Sequence, residues 1–129
     1  MKTSFELKQS FSVSAKEIYE AWLSSEKHTA MTGGDAKCSN EEGASFNAWD
    51  GYISGKNVRL NPNELIIQSW RTSEFSDSDE ASQLTIMLYD TSIGCEIHLT
   101  HTDIPEGQSD YKKGWIEHYF EPMTEYFKI

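Results

Sequence analysis

EGQSDYKKGWIEHYFEPMTEYFKI, residues 106–129, decides the fold. Tyr111, Trp115, Tyr119 and Met123 recur at every fourth position, with Ile116, Phe120 and Phe127 beside them. Residues four apart lie one above another on a helix, so this spacing predicts a long C-terminal helix with a broad apolar stripe. Ser109 or Asp110 can cap its start by accepting an otherwise unpaired backbone N–H. Pro122 lacks an N–H and predicts a kink. A stripe that wide needs something large to pack against, and the rest of the chain is read for that partner.

Upstream, the period is two. Phe5, Leu7, Gln9, Phe11 and Val13 alternate with Glu6, Lys8 and Ser10, the pattern of a half-buried strand. Ser14 followed by Glu17 makes a capping box, and Val13 with Ile18 the hydrophobic staple around it. A short helix then begins near Ala15 and turns Ile18, Ala21 and Trp22 to the core. SSEKHTAM, residues 24–31, supplies a second short helix that ends by the paired glycines of TGGDAK, residues 32–37. From Ala44 onward, strands are predicted near 44–50, 52–60, 64–73, 82–90 and 93–102. Their separators are Asp50-Gly51, NPNE, SEFSDSDEAS and DTSIG. Gaps this short make successive strands antiparallel neighbours in a meander. The expected fold is α+β: a curved antiparallel sheet wrapped around the C-terminal helix, with two short helices after the first strand. A pocket between sheet and helix is expected, because a curved sheet fills that space incompletely.

FNAWDGYISGKN, residues 46–57, carries the strongest turn signal. Asp-Gly suits a type I′ turn, whose central residues both need positive φ. A two-residue turn at Asp50-Gly51 puts Trp49 and Tyr52 on one face and Phe46, Ala48 and Ile53 on the other. Trp49 and Tyr52 then project outward or toward the rim, either bracing the hairpin or offering two aromatics to a protein partner.

At 129 residues the chain is read as one domain, 1–129, burying about 65–70% of its unfolded surface. Eleven basic residues against 21 acidic give a net charge of −10, which argues against nucleic acid or an anionic membrane as partner. No apolar run reaches membrane-span length, and MKTSFELKQSF does not read as a signal peptide. Cys38 and Cys95 lack CxxC spacing and are expected as free thiols in a reducing cytoplasm.

The chain as ordered by FSVSAKEIYEAWLSSEKHTAMTGG, FNAWDGYISGKN, LNPNELIIQSWR, LTHTDIP and GWIEHYFEPM resembles the family of activators of the 90-kDa heat-shock chaperone's ATPase, within the START-like (SRPBCC) helix-grip superfamily. The resemblance runs over nearly the whole chain. It implies a curved sheet gripping the C-terminal helix, in agreement with the residue patterns. In the eukaryotic activator such a domain is the second of two, and the first is expected to be absent here. Stand-alone members of the family look like small-molecule binders, so the resemblance speaks for fold more than for activity.

Candidate chemistry is sparse. His98 and His101 are three apart in a predicted strand and face opposite sides, so they cannot clamp one metal. His28 and His118 have no partner at ligand spacing, and no metal or cofactor is expected. No GxSxG elbow or phosphate loop occurs. The candidate ligand site is Trp70, Gln68, His101, Trp115, Tyr119 and Met123, gathered where the sheet's inner face meets the helix stripe. Gln68 would either offer a ligand its amide or be satisfied within a filled core by Tyr119 or water. The leading expectation is a non-enzymatic domain that binds an apolar or lipid-like small molecule. The alternative is a chaperone-docking module using Trp49 and Tyr52. A third reading, cyclase- or hydrolase-like chemistry, would depend on His101, the one ionisable group nominated for the cavity.

Overall fold

The alternating segments become a six-stranded antiparallel sheet in the computed structural model, which describes residues 2–128. Met1 and Ile129, the ends of the expected domain, lie outside the described residues. The strands are β1 (Thr3–Phe11), β2 (Ser45–Ala48), β3 (Ile53–Asn61), β4 (Leu65–Thr72), β5 (Ser82–Thr91) and β6 (Gly94–Ile104). Their order across the sheet is β1-β6-β5-β4-β3-β2: the last five form the expected meander, and β1 closes onto β6. Register shifts between Thr3 and Phe5 and between Asn57 and Arg59 bend the strands where they occur.

One face of the sheet is dry. Ile66, Leu84, Ile86, Ile97 and Leu99 are at most 1% exposed, and they alternate with half-buried or exposed residues. Burial of that face against the helices is the main stabilising term, at about 25 cal/mol for each Å² of apolar surface removed from water.

Between β1 and β2 lie α1 (Ala15–Trp22) and α2 (Ser25–Thr32). Ser14 Oγ accepts from Glu17 N–H and Ser24 Oγ from Lys27 N–H, so each helix starts on a serine cap. Asp90 adds a second anchor by accepting Ala15 N–H at 2.8 Å. α2 stops at Gly33, whose φ of 88° is the left-handed cap a side chain would resist.

The C-terminal helix is α3 (Tyr111–Trp115), a π-helical turn (Ile116–Phe120) and α4 (Glu121–Tyr126). Asp110, not Ser109, is the cap, accepting from Lys113 N–H at 3.1 Å. The disturbance expected at Pro122 takes the form of the π turn: Glu121 N–H bonds Ile116 C=O, five residues back, and Pro122 follows at the start of α4. Tyr111, Trp115, Tyr119, Phe120, Met123 and Phe127 face the core. Ile116, predicted beside that stripe, is instead 38% exposed, whereas Phe120, one residue past Tyr119, is buried.

Candidate functional site

A cavity of about 480 Å³ lies between the β2–β3 hairpin, the end of β4 and the first half of the C-terminal helix. Trp49, Tyr52, Ile53, Trp70, Tyr111, Trp115 and Tyr119 form most of its wall, with Ser109, Asp110 and His118 toward its edge. Gly114 completes the helix side. A Cβ added there would meet nothing within 4 Å, so the helix leaves open space at the cavity wall.

Three of the six predicted ligand residues, Trp70, Trp115 and Tyr119, line this cavity. Gln68, His101 and Met123 do not; they lie in the core behind it, each at most 2% exposed. His101 shows why inward facing differs from reaching a cavity. Trp115 Nε1–H donates to His101 Nδ1 at 3.1 Å, which leaves the ring proton on Nε2. That proton is donated to Ser82 Oγ at 2.8 Å, and the Ser82 hydroxyl donates to Trp70 C=O at 2.6 Å. Trp70 lies edge-on to the imidazole, with ring centroids 4.5 Å apart. Every polar atom of His101 is therefore spent, and burial pulls its pKa down to about 3, so the ring is neutral at physiological pH.

Gln68 finds its partners in Trp22 and Asn57 rather than in Tyr119. Its Oε1 accepts from Trp22 Nε1 at 3.3 Å and its amide donates to Asn57 Oδ1 at 2.9 Å. Asn57, itself buried, donates onward to the carbonyls of Ser39 and Glu41. Tyr119 turns its hydroxyl away from the cavity. His28 Nδ1–H donates to Trp22 C=O at 2.8 Å, so His28 Nε2 is left to accept from the Tyr119 hydroxyl at 2.9 Å. Burial raises the Tyr119 pKa and lowers that of His28, keeping both neutral.

The hairpin has the expected register, Ala48 opposite Ile53 and Phe46 opposite Gly55. Asp50 and Gly51 have φ of 59° and 90°, and Tyr52 N–H bonds Trp49 C=O, as a type I′ turn requires. Trp49, however, is also left-handed, with φ of 52°, so β2 ends at Ala48. Strand alternation stops there, and of the two placements expected for Trp49, outward or toward the rim, the outward one is corrected: its half-buried ring lies over Gly34, lines the cavity and meets His118 edge-on at 5.6 Å. Asp50 N–H to Asp35 C=O and Asp35 N–H to Asp50 Oδ1 tie this tip to the segment after α2. Tyr52 stays at the rim, 36% exposed, and donates its hydroxyl to Glu74. Ser109 Oγ donates to the other oxygen of that carboxylate at 2.9 Å.

Tyr111, Ser109, Gly114, His118 and Glu74 enter the site without having been picked from the sequence. Tyr111 was on the helix stripe, a signal that existed; the exposed Glu74 gave none. Among the described residues, no group of three His, Cys, Asp or Glu side chains is placed to hold a metal ion, and no helix is long and apolar enough to cross a membrane.

Comparison with known proteins agrees with the architecture. The crystal structure of an Hsp90 activator from Plasmodium falciparum superposes with a TM-score of 0.84 at 19% identity, over 95% of this chain and 94% of that one. The solution structure of the Aha1 dimer from Colwellia psychrerythraea gives 0.81 at 14% identity, over 98% and 97%. In sequence, the "Activator of 90 kDa heat shock protein ATPase homolog" of Dictyostelium discoideum is 30% identical over 133 residues. That match takes in 96% of this chain but only 34% of the relative's length. Residues 12–128 match the family model described as Activator of Hsp90 ATPase homolog 1-like protein, and the chain belongs to that family.

Proposed function

We propose that the chain is a binding domain that holds a mostly apolar small molecule in the cavity between hairpin, sheet and C-terminal helix, without turning it over. The observation that carries this reading is the cavity's lining. About 480 Å³ lies within the range of ligand pockets, and its wall is aromatic. The polar atoms of Trp115 and Tyr119 are tied into the core, so these side chains offer a ligand their rings. His101, the group nominated for chemistry, is enclosed and fully hydrogen-bonded, which favours binding over catalysis.

Thermal unfolding with and without the neutral lipophilic dye Nile red, beside native mass spectrometry of the freshly purified chain, tests the reading. A ligand at a hundred times its Kd should stabilise the fold by about 2.7 kcal/mol. Gly114→Leu, which fills the space at the cavity wall, should abolish that gain. Absence of both a released adduct and a dye-induced shift would refute the reading.

A second reading is supported by family membership and by the printed name of the Dictyostelium relative: docking to a 90-kDa heat-shock chaperone in the cytoplasm. Tyr52 and the tip around Trp49 are the surface nominated for it. Adding the chain to the chaperone should raise its ATPase rate, and Trp49→Ala with Tyr52→Ala should remove the effect. An unchanged rate with the native chain would set this reading aside.

A further inference from the structure

The cavity's charge and ring geometry narrow the ligand class, granted the small-molecule reading above. Its aromatic rings are inclined to one another. Trp70 meets Tyr111 at 80° with centroids 5.0 Å apart, Trp115 at 40° and 5.7 Å, and Trp115 meets Tyr119 at 46° and 4.6 Å. At these separations the rings touch one another, so a group entering the cavity meets one bent wall of ring faces and edges rather than a slot between two plates. Aromatic faces carry negative quadrupole potential, and cages of Trp and Tyr hold alkylated ammonium groups by that means.

The edge of the cavity has the same sign. Asp110 lines it, with one carboxylate oxygen capping the helix at Lys113 N–H. Glu74 stands just outside, its oxygens bonded by two lining residues, Tyr52 and Ser109. Those hydrogen bonds, that of Tyr52 first, hold the Glu74 carboxyl below the usual range, so it is ionised at neutral pH. No lysine or arginine is among the lining residues. Lys113, one turn into the helix, is 70% exposed and lies 4.0 Å from Glu117. The unpaired indole N–H of Trp49 is covered by protein and offers an anion no donor. The whole chain carries −10. A carboxylate- or phosphate-bearing ligand would meet two carboxylates at the edge and no lysine or arginine, with the His118 imidazole as the one nitrogen donor among the other lining side chains besides the tryptophans.

We propose that the cavity binds an organic cation: a quaternary or tertiary ammonium whose apolar substituents pack on the aromatic wall and whose charge lies toward Asp110 and Glu74.

Benzyltrimethylammonium and its neutral isostere neopentylbenzene have nearly the same shape and differ in charge. Titrating each into the native chain, followed by the fluorescence of the lining tryptophans Trp49, Trp70 and Trp115, isolates the charge from the fit. The cation should bind at least about tenfold more tightly at low salt, and phenylacetate should not bind. Asp110→Asn with Glu74→Gln keeps the cap and the side-chain shapes while removing both charges; it should weaken the cation by about three- to tenfold and leave the isostere unchanged. Equal binding of cation and isostere, or tighter binding of phenylacetate, would overturn the cationic class and leave small-molecule binding standing. An unaltered cation preference in the double variant would overturn the carboxylates' role. No response to any probe at millimolar concentration would remove the small-molecule reading together with this one.

Discussion

The Trp115 indole N–H donates to Nδ1 of His101 across 3.1 Å, joining the C-terminal helix to β6 through two side chains that are 3% and 0% exposed. The bond fixes the imidazole tautomer, and through it the hydrogen-bonded path to Ser82 and the Trp70 carbonyl. A cavity wall built this way is stiff, because none of its members can turn without stranding a buried donor or acceptor, at about 1–3 kcal/mol each.

The pH dependence of stability follows from the same ring. Burial takes His101 from its ordinary 6.5 to about 3 in the folded chain. As the pH falls the unfolded chain takes up this proton first, so the stability is complete above the ordinary value and is lost between 6.5 and about 3. His28, also lowered by burial, acts in the same direction. His101→Gln should flatten the acid limb of unfolding free energy against pH by about one proton, or about 1.4 kcal/mol per pH unit. Urea titrations from pH 7 to pH 4 measure the slope; equal slopes in the two proteins would show that His101 takes up its proton in the folded state.

Truncating Trp115 separates packing from hydrogen bonding. Trp115→Ala should cost about 3–5 kcal/mol, as expected for a buried aromatic. Trp115→Phe keeps most of the ring volume but strands His101 Nδ1, and should cost about 1–3 kcal/mol. A loss below 1 kcal/mol for the alanine variant in urea unfolding would contradict the burial of Trp115.

Gly55 and Gly34 predict opposite tolerances. A Cβ at Gly55 would lie 1.8 Å from the Ser69 carbonyl oxygen, on the backbone of the neighbouring strand. At Gly34 it would lie 2.4 Å from Trp49 Cε3, a side-chain atom at a loop tip. Gly55→Ala must therefore part β3 from β4 and should cost about 3 kcal/mol or more, whereas Gly34→Ala should cost about 1 kcal/mol and displace the Trp49 indole. Denaturation midpoints read the first difference, and a change in tryptophan emission of folded Gly34→Ala reads the second. Equal costs would mean that the Trp49 ring is held as firmly as a strand backbone.

Side-chain parity carried most of this fold into the sequence. Alternation placed the strands, the four-residue recurrence placed the C-terminal stripe, and Asp50-Gly51 placed the hairpin turn and its register. Parity gives a face but not a depth, which is why Gln68 and His101 point inward as read yet stop behind the cavity. Their partners could not be read either: Asn57 sits beside a register shift, and Trp22 reaches Gln68 from a helix 46 residues away in sequence. Trp49 escaped strand reasoning because its own φ is positive, a state set by the paired bonds between Asp35 and Asp50 rather than by residue type.

Gly114 sets stability against binding. A glycine inside a helix costs about 0.5–1 kcal/mol relative to alanine through backbone entropy. A Cβ at Gly114 meets nothing within 4 Å, so no clash offsets the gain. Gly114→Ala should therefore raise the unfolding free energy by about 0.5–1 kcal/mol and the melting temperature by a few degrees. The added methyl group occupies space at the cavity wall, so binding of a bulky lipophilic probe should weaken in the same variant. Calorimetric melting and dye titration on one preparation read both effects. A stabilised variant that binds as tightly as the native chain would show that the space beside Gly114 lies outside the bound ligand. A destabilised one would show that the helix needs glycine for a backbone reason.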